Sequence, residues 1–92
     1  MTDYLAVGAQ LGDLLSRKQE AYGDSFSKSE DVLELLYPTG VHPNQYKDLL
    51  PMVRIIDKLF RIATRKEAFG ESPWQDIAGY ALLALANDQE AT

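Results

Sequence analysis

Apolar residues recur at helical spacing in four successive stretches of the chain, separated by clusters of glycine, proline and small polar residues. In the first stretch, Tyr4, Leu5, Val7, Leu11, Leu14 and Leu15 recur at spacings of three and four, as in Tyr4/Val7, Val7/Leu11, Leu11/Leu14 and Leu11/Leu15, with Asp13, Arg17, Lys18 and Glu20 between or after them. This pattern predicts an amphipathic helix from about Thr2 to Tyr22. Gly8 and Gly12 inside it each cost about 1 kcal/mol relative to alanine. With Ser16 they also form a ridge of small residues at four-residue spacing that admits the close approach of another helix. A weak helix and a contact ridge are equally good readings of the same glycines.

Gly23 is placed as the C-terminal cap of this helix, and the run Tyr22-Gly23-Asp24-Ser25-Phe26-Ser27 reads as a loop. Ser27 followed by Glu30 has the form of a capping box, and Val32, Leu33, Leu35 and Leu36 then supply an apolar face. The second helix is therefore expected over about Lys28 to Tyr37, closed by Pro38-Thr39-Gly40. A third and longest helix starts at Pro43 and carries Leu49, Leu50, Val53, Ile56, Leu59, Phe60 and Ala63 at helical spacing as far as about Lys66. Pro51 lies inside it. A proline there removes a backbone hydrogen bond and costs about 3 kcal/mol, so this helix is expected to be kinked or broken at that point.

Glu67 to Glu71 connects to the strongest helix start in the chain, Ser72-Pro73-Trp74-Gln75, with a serine cap, a proline at the first helical position and a glutamine to complete the box. Ile77, Ala78, Ala81, Leu82 and Leu85 then face the core of a fourth helix ending near Asn87, with 88–92 frayed. No hairpin signal, repeat, low-complexity segment or linker interrupts the series. The expectation is one all-α domain over 1–92, a small four-helix arrangement with a kinked or broken third helix.

Composition narrows the classes. The 92 residues include no cysteine, so disulfides and thiolate zinc are excluded, and the 46% hydrophobic, 25% charged balance is that of a globular chain. No apolar run approaches the roughly 18–20 residues of a spanning helix. The acidic start Met1-Thr2-Asp3-Tyr4 lacks the features of a secretory signal, which makes a cytoplasmic location the default expectation. The net charge of −5 is unevenly spread. Between Lys47 and Lys66 six cations face two carboxylates, a net +4, which leaves −9 for the remainder. Overall acidity disfavours duplex nucleic acid as a partner, whereas the basic segment still permits a small anion.

Arg54, Lys58, Arg61 and Arg65 fall on adjacent turns of the third helix and make one basic stripe beside Asp57. One reading is a solvated face in which Asp57 pairs with Arg54 and Arg61. The other is a set of forked donors for phosphate oxygens. Glu71, Ser72 and Asp76 surround the start of the fourth helix. They are explained by capping and the helix dipole, or they offer carboxylates to a magnesium ion or a sugar hydroxyl; two carboxylates across a helix start are a weak metal signal. Asp24 and Ser25 read as a turn or as part of the same site. His42 is the only histidine, which disfavours a triad or a histidine metal cluster. Trp74, Tyr80 and Phe69 are core aromatics or base-stacking groups.

The ordered segments Tyr22-Gly23-Asp24-Ser25-Phe26, Arg54-Ile55-Ile56-Asp57-Lys58-Leu59-Phe60-Arg61 and Glu71-Ser72-Pro73-Trp74-Gln75-Asp76-Ile77-Ala78-Gly79-Tyr80 resemble the nucleotide modification associated domain 1 family of small α-helical phage and prophage proteins. The resemblance spans about Tyr22 to Leu83. It implies a role with nucleotides or modified bases, in the host cytoplasm for a phage-encoded chain, and carries over Tyr22, Gly23, Asp24, Ser25, Arg54, Asp57, Lys58, Arg61, Glu71, Ser72, Asp76 and Tyr80. More distantly the chain looks like the MazG-like all-α nucleoside triphosphate pyrophosphohydrolases, which present glutamates three apart to magnesium. Here Asp31 and Glu34 have that spacing, but Glu71 and Asp76 are five apart and straddle a cap.

The expected function is binding of a nucleotide or other small phosphorylated ligand through Tyr22, Asp24, Ser25, Arg54, Asp57, Lys58, Arg61, Glu71, Asp76 and Tyr80, as a binder or as an enzyme. Antiparallel packing of the third and fourth helices is expected to bring Glu71 to Arg61, with the Tyr22 loop beside both; the same contact also serves as an ion-pair network that only fixes the fold. The alternative is an interaction module acting on a host or phage protein, or a homo-oligomer, using the Gly8 and Gly12 ridge with Tyr4, Leu5 and Leu11.

Overall fold

A computed structural model describes residues 2–65 and 70–91. The chain is all-α, with α1 at Tyr4–Tyr22, α2 at Ser25–Leu36, a 3-10 turn at Pro43–Gln45, α3 at Tyr46–Arg65 and α4 at Pro73–Ala91. Among the described residues there is no strand. The expected connection at Glu67 to Phe69, with Lys66 before it, lies outside the described residues.

Each helix boundary has a local cause. Asp3 caps α1 by accepting from the Ala6 N–H at 3.1 Å. At the other end Gly23 adopts the left-handed region, φ 67° and ψ 30°, and donates its N–H to the Gln19 carbonyl. Asp24 follows in the same region, φ 56° and ψ 44°. Two successive left-handed residues reverse the chain so tightly that α2 begins at Ser25, three residues before the expected start. Ser27 is therefore inside the helix and is not its cap. Asp24 tolerates the conformation because a short polar side chain finds a local partner: the Gln19 amide donates to its Oδ1 at 2.6 Å.

Pro51 does not break α3. The helical segment is divided at Gln45 and Tyr46, where the 3-10 turn hands over to the α-helix, and α3 runs on through Pro51 to Arg65. The acceptor left without its partner by Pro51 is the carbonyl of Lys47, on the exposed first turn, where water can satisfy it. The 3-10 turn is held by His42 and Gln45: the His42 N–H donates to the Gln45 side-chain oxygen at 2.9 Å, and the Gln45 N–H to the His42 carbonyl at 2.9 Å. At α4, Ser72 Oγ accepts from the Gln75 N–H at 3.3 Å, so the predicted cap is in place. The helix extends to Ala91, past the expected end near Asn87.

α3 is the central element. α1, α2 and α4 all pack on it, α1 and α2 touch each other at their shared turn, and α4 makes no comparable contact with α1 or α2 among the described residues. The Tyr37 hydroxyl donates to the Met52 thioether sulfur at 3.2 Å and ties the end of α2 to α3. Ile56 and Ala21 are the buried apolar residues, joined by Pro73, Ser25 and Arg61. The layout is a spine with three arms and not a closed bundle, and it measures 52 × 30 × 29 Å.

Gly23 is the joint on which α1 and α2 turn. A Cβ there would strike Thr64 Oγ1 of α3, in a backbone region that L residues avoid. Gly23→Ala is expected to lower stability by about 1–3 kcal/mol in urea unfolding. An unchanged midpoint would show that this turn does not constrain the fold.

Candidate functional site

The stripe predicted on α3 is one continuous row in the structure, and it faces α4 and the end of α1. Arg61 is 1% exposed. Its guanidinium donates to the Glu71 carboxylate at 3.1 Å and also to the Glu71 carbonyl, and it lies 5.7 Å from the centroid of the Tyr22 ring. One turn earlier, Lys58 meets the Asp76 carboxylate at 3.5 Å. Arg54 sits over the Tyr80 ring at 5.5 Å, and Lys47 bonds to Asp88 at 2.9 Å. As the α3 numbers fall through 61, 58, 54 and 47, their partners rise through 71, 76, 80 and 88, which is the register of two antiparallel helices. Arg65, at the far end, reaches back to Glu20 of α1 at 3.8 Å.

The expectation that Asp57 would pair with Arg54 and Arg61 is not met. Arg54 turns to an aromatic ring and Arg61 to Glu71, and Asp57, half-buried, makes no ion pair among the described residues. The reason is burial. A guanidinium taken out of water needs several acceptors at fixed positions, and the segment entering α4 supplies Arg61 with a carboxylate and a carbonyl together, which one carboxylate on its own helix does not.

The predicted residues fall into two groups. Tyr22, Arg61 and Glu71 converge at one end of the α3–α4 seam, with Lys58 and Asp76 beside them. Asp24 and Ser25 belong to the turn after α1: the Asp24 carboxylate accepts from Gln19, and Ser25 is buried at the start of α2. At the other end, Arg54 and Tyr80 stand on the wall of an open pocket of about 250 Å³ between α3 and α4, completed by Lys47, Leu50, Pro51, Leu83, Ala84 and Asn87. Lys47 and Asn87 were not singled out from the sequence. The signal for them was the register itself, since an antiparallel seam that starts at Arg61 and Glu71 must bring Lys47 alongside Asn87 and Asp88.

The pocket wall combines two cations, an aromatic ring and an amide over an apolar floor of Leu50, Pro51, Leu83 and Ala84. Arg54 is exposed, and among the described residues no carboxylate lies within ion-pairing distance of it. Its five donors in a planar fork are thus available to an anion, with the ring behind them. Among the described residues no group of three or more His, Asp or Glu side chains converges as metal ligands would. His42 is exposed. Of the three candidate stacking aromatics, Tyr80 lines the pocket, Trp74 is exposed elsewhere on α4, and Phe69 lies outside the described residues.

No protein-family model, curated protein or solved structure matches the chain. What its structure defines is a small all-α protein built on one central helix. No described helix is long and apolar enough to cross a membrane.

The two arginines are predicted to separate in a stability measurement. Arg61→Ala removes a buried, multiply bonded group and is expected to cost about 3–5 kcal/mol. Arg54→Ala, at an exposed ring contact, is expected to cost less than about 1 kcal/mol. Equal losses in urea titrations of the two variants would contradict this division.

Proposed function

We propose that this protein binds a nucleotide or nucleotide-derived phosphorylated ligand in the pocket between α3 and α4. The observation that supports the reading is the Arg54–Tyr80 pair on the pocket wall, a forked cation without a carboxylate partner stacked beside a ring, with Lys47 and Asn87 across from it. Arginine forks pair with phosphate oxygens through parallel hydrogen bonds, and a tyrosine face accepts a base or a sugar. The resemblance of the Arg54 to Arg61 and Glu71 to Tyr80 segments to a family associated with nucleotide modification in phages points to the same ligand class.

Size and charge narrow it further. At about 250 Å³ the open pocket falls just below the roughly 300–1,000 Å³ of ligand clefts, a size for one small unit and not for a polymer. The chain's net charge of −5 repels long nucleic acid, while on the local wall Arg54 is a cation with no carboxylate partner among the described residues and Lys47 is paired with Asp88. The lining holds no carboxylate and no histidine, and the polar groups it offers, Arg54, Lys47, Tyr80 and Asn87, are those of a recognition site. In this reading Arg61, Lys58, Glu71 and Asp76 hold α3 to α4 and so fix the distance between Arg54 and Tyr80, while Tyr22, Asp24 and Ser25 set the turn that leans on Arg61.

Calorimetric titration with mono-, di-, cyclic and base-modified nucleotides tests the proposal. Binding of at least one ligand is expected, weakened tenfold or more by Arg54→Ala with the helical circular dichroism unchanged. No heat from any of them at millimolar concentration, or full affinity in Arg54→Ala, would overturn it.

A further inference from the structure

The chain leaves uncovered far more surface than a folded monomer of its size. At 10.3 kDa, a compact monomer exposes about 5,400 Å², whereas this one exposes 7093 Å². Its radius of gyration is 16.4 Å, against about 12 Å for a compact domain of this length. The excess, about 1,700 Å², falls within the roughly 1,000–2,500 Å² that each copy buries in an obligate homodimer.

Part of the uncovered surface lies on two helix faces, while Phe26, Leu35, Leu50 and Leu59 are exposed elsewhere. α4 turns Asp76, Tyr80, Ala84 and Asn87 toward α3. On the opposite side, away from the core that the periodicity predicts for Ala78, Ala81, Leu82 and Leu85, these four share one exposed face with Trp74, at 53% exposure for Trp74, 66% for Leu82 and 56% for Leu85. A helix that packs through one side and carries an apolar stripe on the other fits between two layers, and here only one is present. The second face lies on α1, where Tyr4, Val7, Leu11 and Leu15 form one stripe, more than half exposed throughout, and no atom approaches within 4 Å of a Cβ built on Gly8 or Gly12. Neither stripe includes a charged residue, so neither suits a charged partner.

We propose that a second copy of this chain covers these faces, with α1 of each copy lying along the outer face of α4 of the other. The stripes match in length: Tyr4 to Leu15 and Trp74 to Leu85 each span eleven helical steps, about 17 Å. An exchange in which one patch meets the other and the reverse holds by symmetry is the isologous arrangement of a two-fold dimer, and it uses both faces at once. The chain's own buried apolar core is small, with Ile56, Ala21 and Pro73 buried among the described residues. A partner that completes such a core must be present whenever the chain folds, which a second copy always is. The Gly8 and Gly12 ridge then lets the partner's α4 backbone come close. This dimer stands independently of the ligand reading, because Arg54 and Tyr80 lie on the other side of α4.

Light scattering coupled to size exclusion tests the proposal on the unmodified chain. The expected mass is at least twice 10.3 kDa, with a melting temperature that rises with chain concentration. The double variant Leu82→Glu/Leu85→Glu is expected to weaken self-association a hundredfold or more while leaving the faces toward α3 untouched. A folded species of 10.3 kDa whose melting temperature is independent of concentration would overturn the proposal and leave the face to a different protein. A variant that keeps the full assembly mass would overturn the assignment of the interface to α4.

Discussion

The burial of Arg61 is the constraint on which the rest of the structure depends. Removing a guanidinium from water costs several kcal/mol unless its donors are met. Here Glu71 takes a bond from each terminal nitrogen, one by carboxylate and one by carbonyl, and the Tyr22 ring lies over the group from the side of α1. Three segments distant in sequence are therefore fixed to one point on α3. The Glu71 side chain is 60% exposed and keeps much of its hydration, so the desolvation cost falls mainly on the cation. With Arg61 anchored, the antiparallel register of α3 and α4 follows, and Lys58, Arg54 and Lys47 come opposite Asp76, Tyr80 and Asp88 without further freedom.

The register also divides α3 into two ends with different chemistry. Near Arg61 every cation has a carboxylate, and the charges hold helices together. Near Arg54 the partner is a ring, a pocket opens between α3 and α4, and Arg54 is exposed. A basic stripe that looks uniform along the sequence is thus part clasp and part open site. The difference lies in what α4 and the segment entering it present opposite each cation, Glu71 to Arg61, Asp76 to Lys58 and Asp88 to Lys47, but a ring, Tyr80, to Arg54.

Much of this was legible in the chain because it rests on local rules. Gly23 as a helix cap, Ser72 and Pro73 as a helix start and the 3.6-residue periodicity of α3 each act within a few residues, and the Arg61–Glu71 contact follows from short antiparallel connection. What escaped depends on backbone and tertiary choices that composition does not encode. Asp24 takes up a left-handed conformation and moves the start of α2 forward to Ser25, which a capping-box motif at Ser27 does not reveal. The expected break in the third helical segment falls at Gln45 and Tyr46, where the 3-10 turn meets α3, and not at Pro51, whose orphaned carbonyl is on an exposed turn. Asp57 loses its expected partners because burial ranks acceptors by number and position, not by sequence distance. Lys47 and Asn87 become pocket residues only after the register is known.

The central claim is that α3 binds a phosphorylated ligand at its Arg54 end and is structural at its Arg61 end. Amide chemical-shift mapping of the ¹⁵N-labelled protein during titration with nucleotides tests it most directly. The account predicts saturable shifts centred on Lys47, Arg54, Tyr80 and Asn87, with Glu71 and Tyr22 little changed. Shifts centred on Tyr22, Asp24 and Glu71, or none at millimolar ligand, would contradict it.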